Sequence, residues 1–319
     1  MKKLLFTLFV VIPCLTIGQA NKLYRKAMRS TNLNEKISLL TQVIEEEPKN
    51  LDAYFQRAIA KNDLGDYHGA IVDYSKIVVE EPDADTYYNR GNSRYSIKDL
   101  AGAKEDYAKA YMLDDKFIDA LYSLACVNYD LGEYEKALAN FTKVIKEVPT
   151  QPNTYILRAS VYTALENHYE AIRDYSTAIL IDPSADNYYS RGTFLLNLNY
   201  FQRANEDLSI SLRLNKYNAY AYFYRGTSNL MLGKFKDAVD DFNFALEFDS
   251  TDFDAYLGLA MSYYKLNELT KSKESFERAN NILSIGSDVN NISEYSNTYW
   301  FQNQYYYFNN IIANIARLE

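Results

Sequence analysis

The sequence predicts an all-α protein in which helix–turn–helix repeats follow one another along the chain. Three observations favour this fold class. Small residues return at spacings of 33 or 34 over most of the 319 residues, and a fixed period of this length is typical of repeat architectures. Large side chains precede the small ones by one helical turn. Glycine and proline, at 11 and 6 copies, are too scarce for a protein with many loops.

The first element, residues 1–20, has the features of a secretory signal peptide. Two lysines precede an apolar run, and Gly18 and Ala20 supply the small residues at which cleavage occurs. The run is shorter than the roughly 20 residues that span a bilayer, so we expect export to the periplasm or out of the cell and no transmembrane helix. Lipid attachment at Cys14 is the alternative, but Pro13 stands where such processing requires a small residue.

Two ladders of small residues set the phase of the repeats. Both keep the same spacings, one in the first helix of each repeat and one in the second. Small side chains at these positions let paired helices approach closely. The first ladder comprises Ala58, Gly91, Ala125, Ala159, Gly192, Gly226 and Ala260. The second ladder comprises Ala70, Ala103, Ala137, Ala171, Ala204, Ala238 and Ser272.

Large side chains stand one turn before the first ladder and one turn after the second, so each helix has one apolar stripe. Those of the first helix are Tyr54, Tyr87, Leu121, Tyr155, Tyr188, Tyr222 and Tyr256. Those of the second helix are Tyr74, Tyr107, Phe141, Tyr175, Leu208, Phe242 and Phe276. Between the helices, Gly65, Gly132 and Gly233 mark turns where a residue takes the left-handed conformation.

Together these positions resemble the tetratricopeptide repeat. The best-matched copy carries it at Tyr222, Arg225, Gly226, Gly233, Phe235, Ala238, Phe242 and Ala245. The resemblance implies a right-handed α-solenoid in which a degenerate N-terminal repeat, residues 21–50, precedes seven full copies and residues 287–319 form a loop and a capping helix. The seven copies, repeats 1 to 7, are residues 51–84, 84–117, 118–151, 152–185, 185–218, 219–252 and 253–286.

An arginine recurs three residues after the large side chain of the first helix, and an aspartate follows 16 residues later. Repeats 3 and 7 have Leu124 and Leu259 instead, and both also lack the acid. Because the partners are lost together, we predict a charge-assisted hydrogen-bonded pair between the helices and not an anion site. The predicted pairs are Arg57–Asp73, Arg90–Asp106, Arg158–Asp174, Arg191–Asp207 and Arg225–Asp241.

The resemblance also implies that the first helices line a concave groove. The candidate binding residues are Phe55, Tyr88, Asn92, Tyr95, Tyr122, Tyr129, Tyr189, Phe223 and Tyr264. Tyrosine offers large contact area with little rotamer loss, so this surface suits a protein segment or peptide. The convex face or one end of the array is the alternative binding surface. Another alternative function is the binding of a small molecule or glycan outside the cell.

Charge narrows the range of partners. A net charge of −8 argues against nucleic acid. Relatives that clamp the acidic tails of chaperones use a cluster of basic residues in the groove, whereas aspartates border this one, so we expect no such clamp and a neutral or basic ligand. We therefore predict a scaffold or adaptor in a cell-envelope or secretion-related assembly.

No catalytic motif, cofactor site or metal site is predicted. The histidines, His68 and His168, stand 100 residues apart without companion ligands, and Cys126 has no nearby acid–base partner. After residue 286 we expect one amphipathic helix from Glu294 to Arg317 that caps repeat 7, attachment to a membrane surface being the alternative.

Overall fold

The computed structural model describes residues 18–283 and 291–318, and over these residues the chain forms helices and no strand. The all-α prediction is therefore confirmed. Most of the predicted signal peptide, including Cys14, lies outside the described residues, as does the start of the predicted C-terminal loop. The chain divides into two compact units, Met1–His168 (unit 1) and Tyr169–Glu319 (unit 2).

The first described helix of unit 1, α1, spans residues 18–29. The helices that follow are α2 (Leu33–Glu46), α3 (Leu51–Asp63), α4 (Tyr67–Glu80), α5 (Ala84–Ser96), α6 (Leu100–Leu113), α7 (Ile118–Asp130), α8 (Tyr134–Glu147) and α9 (Pro152–Ala164). Each odd-numbered helix from α3 is the first helix of a repeat and packs against the even-numbered helix that follows it up to α8.

Unit 2 continues the alternation from α10 (His168–Ile181), whose first residue lies at the boundary. The next helices are α11 (Ala185–Asn197), α12 (Phe201–Leu214), α13 (Ala219–Met231), α14 (Phe235–Phe248), α15 (Phe253–Lys265) and α16 (Leu269–Leu283). A 3₁₀ helix (Ile292–Tyr295) then precedes α17 (Tyr299–Asn303) and α18 (Tyr305–Ile315).

The turn between the two helices of each repeat contains one residue in the left-handed conformation. Glycine adopts it without steric cost, but other residues with a Cβ do not. The φ angles are 82° at Gly65, 64° at Lys98, 73° at Gly132, 58° at Glu166, 61° at Asn199, 75° at Gly233 and 59° at Asn267. Repeats 2, 4, 5 and 7 therefore keep the same turn as repeats 1, 3 and 6 without glycine.

Side-chain caps begin several of the helices in unit 1. Asn50, Asp66, Asp83 and Asp99 precede α3, α4, α5 and α6, and each accepts a hydrogen bond from the backbone N–H three residues later. Such caps satisfy backbone donors that the helix itself leaves unpaired. The loops between helices can therefore stay short.

Close helix packing requires the small residues of both ladders, which are buried throughout the array. At Gly91, a Cβ atom would lie 2.8 Å from Cε1 of Tyr107. The absent side chain thus makes room for the large ring of the second helix, as the sequence pattern indicated.

The C-terminal segment is not the single helix that we expected from Glu294 to Arg317. The hydroxyl of Thr298 accepts from the N–H of Phe301 and begins α17, and Gln304 (φ −134°, ψ 39°) separates it from α18. The break lets α17 and α18 bury different side chains. Helix α18 packs on α15 and α16 through Phe308, Ile311, Ile312 and Ile315, and it caps repeat 7.

Candidate functional site

The arginine–aspartate positions form bidentate pairs inside both units. In unit 1, Nη2 and Nε of Arg57 lie 2.7 and 2.8 Å from the carboxylate of Asp73, and Arg90 meets Asp106 at 2.7 and 2.9 Å. The aspartates are almost fully buried. Charge-assisted bidentate bonds in such surroundings fix the angle between two helices.

Unit 2 contains the same pairing in repeats 5 and 6. Arg191 donates to Asp207 at 2.7 and 2.8 Å, and Nη2 of Arg225 lies 2.6 Å from Asp241. Burial raises the pKa of Asp241, although Arg225 opposes this shift.

The pair predicted for repeat 4 consists of residues that belong to different units. Arg158, in unit 1, is buried and donates to the hydroxyl of Thr142 at 3.1 Å, and Asp174, in unit 2, is also buried. Their pairing stays a prediction.

Each arginine has further partners that the sequence pattern did not reveal. The other guanidinium nitrogen of Arg57, Arg90 and Arg191 donates to a hydroxyl of the preceding repeat, at Thr41, Ser75 and Ser176 respectively, at 3.0 to 3.1 Å. The guanidinium groups of Arg57, Arg90 and Arg225 also lie over the tyrosine ring one turn earlier, as Arg57 does over Tyr54 at 5.4 Å. These arginines are occupied and do not present a free cation to a ligand.

The candidate binding residues of unit 1 lie on α3, α5 and α7, a surface called the α3–α5–α7 face below. Its aromatic members are half-buried, and Phe55, Tyr88 and Tyr122 each pack on the large ring of the second helix in the same repeat. The ring centroids are 5.7 Å apart for Phe55–Tyr74, 5.8 Å for Tyr88–Tyr107 and 6.0 Å for Tyr122–Phe141, with steep interplanar angles. Packing of this kind fixes the rings before any ligand binds.

Polar groups of the same face are held by hydrogen bonds. The hydroxyl of Tyr107 donates to the Asn92 amide oxygen at 2.8 Å, and the hydroxyl of Tyr95 donates to Asp130 at 2.7 Å. This bond and burial raise the pKa of Tyr95 to about 12. Tyr129 packs on Tyr134, with ring centroids 5.7 Å apart.

Cys126 lies beside Tyr122 on this face. Burial raises the pKa of its thiol to about 12, and the charge of Asp130 adds to the shift. The thiol is thus protonated near neutral pH, whereas a nucleophilic cysteine requires the opposite shift.

In unit 2 the candidate residues Tyr189, Phe223 and Tyr264 belong to the α11–α13–α15 face, defined by these three helices. Tyr189 is half-buried and packs on Tyr224, with centroids 6.1 Å apart. Phe223 is only 6% exposed, because the chain's own Tyr299 and Trp300 cover it at centroid distances of 5.2 and 6.0 Å. The prediction that Phe223 is open to a ligand is wrong for this state of the protein.

Tyr264 is half-buried against the apolar cluster that contains Trp300. Of the three predicted residues of this face, Tyr189 is the one that lies away from that cluster.

Asp254 is a residue of the α11–α13–α15 face that the sequence pattern did not single out. Its carboxylate accepts the backbone N–H of Tyr299 at 2.9 and 3.1 Å, and its carbonyl oxygen accepts Nε1–H of Trp300 at 2.7 Å. Burial raises the pKa of Asp254 to about 7. The single tryptophan of the chain was the one signal that could have pointed to this anchor.

Over residues 18–283 and 291–318, no group of three or more His, Cys, Asp and Glu side chains is arranged to hold a metal ion. No helix within those ranges has the length and apolar character to cross a membrane.

Helical hairpins of constant length with an aromatic face on their first helices define a helical-repeat scaffold. Comparison with known families agrees, since models described as "Tetratricopeptide repeat" match residues 84–117, 119–150, 152–184, 189–253 and 253–282. The chain belongs to the tetratricopeptide-repeat family, as its resemblance indicated.

Curated relatives share only part of their length with this chain. Tetratricopeptide repeat protein 13 of Homo sapiens is 35% identical over 88 residues, which are 28% of this chain and 10% of that protein. Small glutamine-rich tetratricopeptide repeat-containing protein 2 of Saccharomyces cerevisiae is 39% identical over 59 residues, 18% of this chain and 17% of that protein. The chain thus spans less than a fifth of either relative.

Solved structures show the same fold. A tetratricopeptide repeat protein from Parabacteroides merdae aligns with TM-score 0.59 and 17% identity over 77% of this chain and 99% of its own. The C-terminal part of a TPR repeat-containing protein from Cytophaga hutchinsonii aligns with TM-score 0.62 and 15% identity over 73% of this chain and 96% of its own. YrrB, described as a TPR protein with an unusual peptide-binding site, aligns with TM-score 0.51 and 23% identity over 57% of this chain and 94% of its own.

Proposed function

We propose that this protein is a non-enzymatic scaffold or adaptor that binds an extended segment of another protein along the α3–α5–α7 face. The observation that carries the proposal is the row of fixed, half-buried rings at Phe55, Tyr88 and Tyr122. Rings held in place lose little conformational entropy on binding. They offer stacking surface to a ligand whose backbone lies across successive repeats.

The electrostatics of this face favour a neutral or basic segment. The cations of α3 and α5 point to buried aspartates, because Lys61 lies 2.8 Å from Asp73 and Arg94 lies 3.0 Å from Asp106, in addition to the arginine pairs. Exposed acids remain at the ends of these helices, namely Asp52, Asp63, Asp85, Asp119 and Asp130. An acidic chaperone tail would meet repulsion here.

A differential capture experiment tests the face. Tyr88→Leu/Tyr122→Leu keeps apolar packing on Tyr107 and Phe141 but removes both rings, and Tyr169→Leu, at a residue 76% exposed on α10, is the matched control. The proposal requires a protein that binds wild type and control but is lost from the double variant, with less capture at high salt. Equal capture by all three proteins would show that the binding site does not lie on this face.

We further propose that the protein acts outside the cytoplasm, in a cell-envelope or secretion-related assembly, after removal of an N-terminal signal. Ala20 is fully buried in the cluster that contains Leu40 and Val43, so cleavage after Gly18 keeps this contact and cleavage after Ala20 loses it. The intact mass of the exported protein tests this, with Gln19 as the expected first residue. A lipid-modified Cys14 in the membrane fraction would contradict it.

A further inference from the structure

The chain's own C-terminal segment shows what the α11–α13–α15 face can bind. The adjacent rings of Tyr299 and Trp300 lie edge-on to Phe223, and Trp300 also lies 6.0 Å from Phe242. Trp300 is fully buried. Two neighbouring aromatic side chains therefore fill an aromatic socket on this face.

Polar contacts orient the aromatic pair. Asp254 receives the backbone N–H of Tyr299 and the indole N–H of Trp300, and Nε2 of Gln304 donates to the Asn199 side chain at 3.2 Å. The first of these bonds is donated by a backbone N–H and is available to any sequence. The indole bond and the ring contacts select the side chains.

Two residues make the shape of this socket complementary to Tyr299 and Trp300. At the equivalent position of the first helix, repeats 1 to 5 have Gln56, Asn89, Ser123, Leu157 and Ser190. Repeat 6 has Tyr224, whose ring lies 5.7 Å from Tyr299. Repeat 7 has Gly258, where a Cβ atom would lie 2.5 Å from Cζ of Phe242. Without that side chain, Phe242 can lean towards α15 beside Trp300.

Docking of α17 has a free-energy cost that the packing of a permanent core element usually lacks. The Asp254 carboxyl is buried, with no cation among the groups that surround it, which are Asp252, Tyr224 and Tyr299. Burying a carboxylate without an opposite charge beside it costs free energy. Trp300 shares one apolar cluster with Phe308, Ile311, Ile312 and Ile315 of α18, so when α17 leaves, α18 stays in place through its own contacts with α15 and α16.

We propose that the α11–α13–α15 face is a second binding site, specific for a protein segment with two adjacent aromatic residues, and that residues 298–304 occupy it as a resident competitor. A partner that presents the same pair of rings and a free backbone N–H to Asp254 displaces α17. This site lies within unit 2, so it does not depend on the ligand of the α3–α5–α7 face.

The binding test uses the full-length chain and a fluorescein-labelled peptide with the sequence of residues 297–305. We expect the peptide to bind Tyr299→Ala/Trp300→Ala at least about tenfold more tightly than wild type by fluorescence anisotropy, because the resident rings are gone. Adding Asp254→Ala to that variant weakens binding, and a peptide with alanine at both aromatic positions binds no protein. Equal affinity for wild type and variant would overturn the proposal.

Hydrogen exchange on the wild-type protein provides a test that does not depend on a variant's folding. We expect the amide of Tyr299 to exchange at least about tenfold faster than the central amides of α15 and α18, through local opening of α17. Exchange of all three at one common rate would make α17 a permanent part of the fold and refute its release. Dimers of the double variant in light scattering would identify a second copy as the occupant and likewise contradict a partner segment.

Discussion

Replacing Arg191 by leucine leaves the carboxylate of Asp207 buried without its guanidinium. The aspartate side chain is 6% exposed, and the substitution removes two hydrogen bonds of 2.7 and 2.8 Å to it. A bond of 3.0 Å from Arg191 to Ser176 is also lost. Breaking a buried pair by removing one partner costs about 3 to 5 kcal/mol. Because the arginine is 20% exposed, we expect the free energy of unfolding to fall by about 3 kcal/mol, at the lower end of this range.

The chain itself contains the compensated form of this change. Repeats 3 and 7 have Leu124 and Leu259 at the arginine position, together with Asn140 and Ser275 at the acid position. We therefore expect Arg191→Leu/Asp207→Asn to recover about half of the loss or more, because no buried charge remains.

Hydrogen exchange is the suitable assay, since a repeat array need not unfold in one cooperative step. A loss of about 3 kcal/mol speeds exchange in α11 and α12 by about a hundredfold. Arg203→Leu, on the exposed side of α12, is the matched control and should change exchange by no more than about twofold. If the effects of the two single changes at residues 191 and 207 add in the double variant, the two residues do not act as a pair.

Three other predictions concern Trp300, Lys98 and Cys126. The pKa of Asp254 is raised to about 7 from about 3.9, so docking of α17 is favoured below pH 4 and weakens as pH rises to 7. Acrylamide should quench Trp300 more at pH 8 than at pH 5, and Asp254→Asn should remove the difference; equal quenching of wild type at both pH values would contradict this. Lys98→Gly should raise the free energy of unfolding by up to about 1 kcal/mol, because glycine removes the steric cost of the left-handed conformation at this turn. A lower melting temperature of the variant would contradict this explanation. Cys126 should react with iodoacetamide at pH 8 at least about a hundredfold more slowly in the folded protein than in urea, and comparable rates would refute the raised pKa.

The periodicity of the sequence was sufficient to predict the fold, because each repeat packs mainly on its neighbours. The two small-residue ladders report contacts between helices that are close in sequence, such as Gly91 against Tyr107. Comparing repeats within one chain also gave the partners Arg57 and Asp73 before their geometry was known. Local and repeated interactions leave a signal at every copy.

Interactions that occur once leave no such signal. The burial of Phe223 by Trp300 joins residues 77 positions apart in one copy only, so the pattern predicted an open face there. The break at Gln304 was missed because one apolar stripe runs through both α17 and α18. The left-handed conformation of Lys98 was missed because its identity gives no sign of positive φ.

The hydroxyl contacts of the arginines cross from one repeat to the next, and in unit 1 they are missing where Leu124 replaces arginine. Repeats 2 and 3 are joined there by Tyr95–Asp130 and by Lys104–Glu133, whose ions are about 30% exposed and 2.7 Å apart. Salt screens exposed charges but affects buried ones much less. Added salt should therefore weaken the contact between repeats 2 and 3 more than the contacts in unit 1 that a buried arginine makes to the preceding repeat.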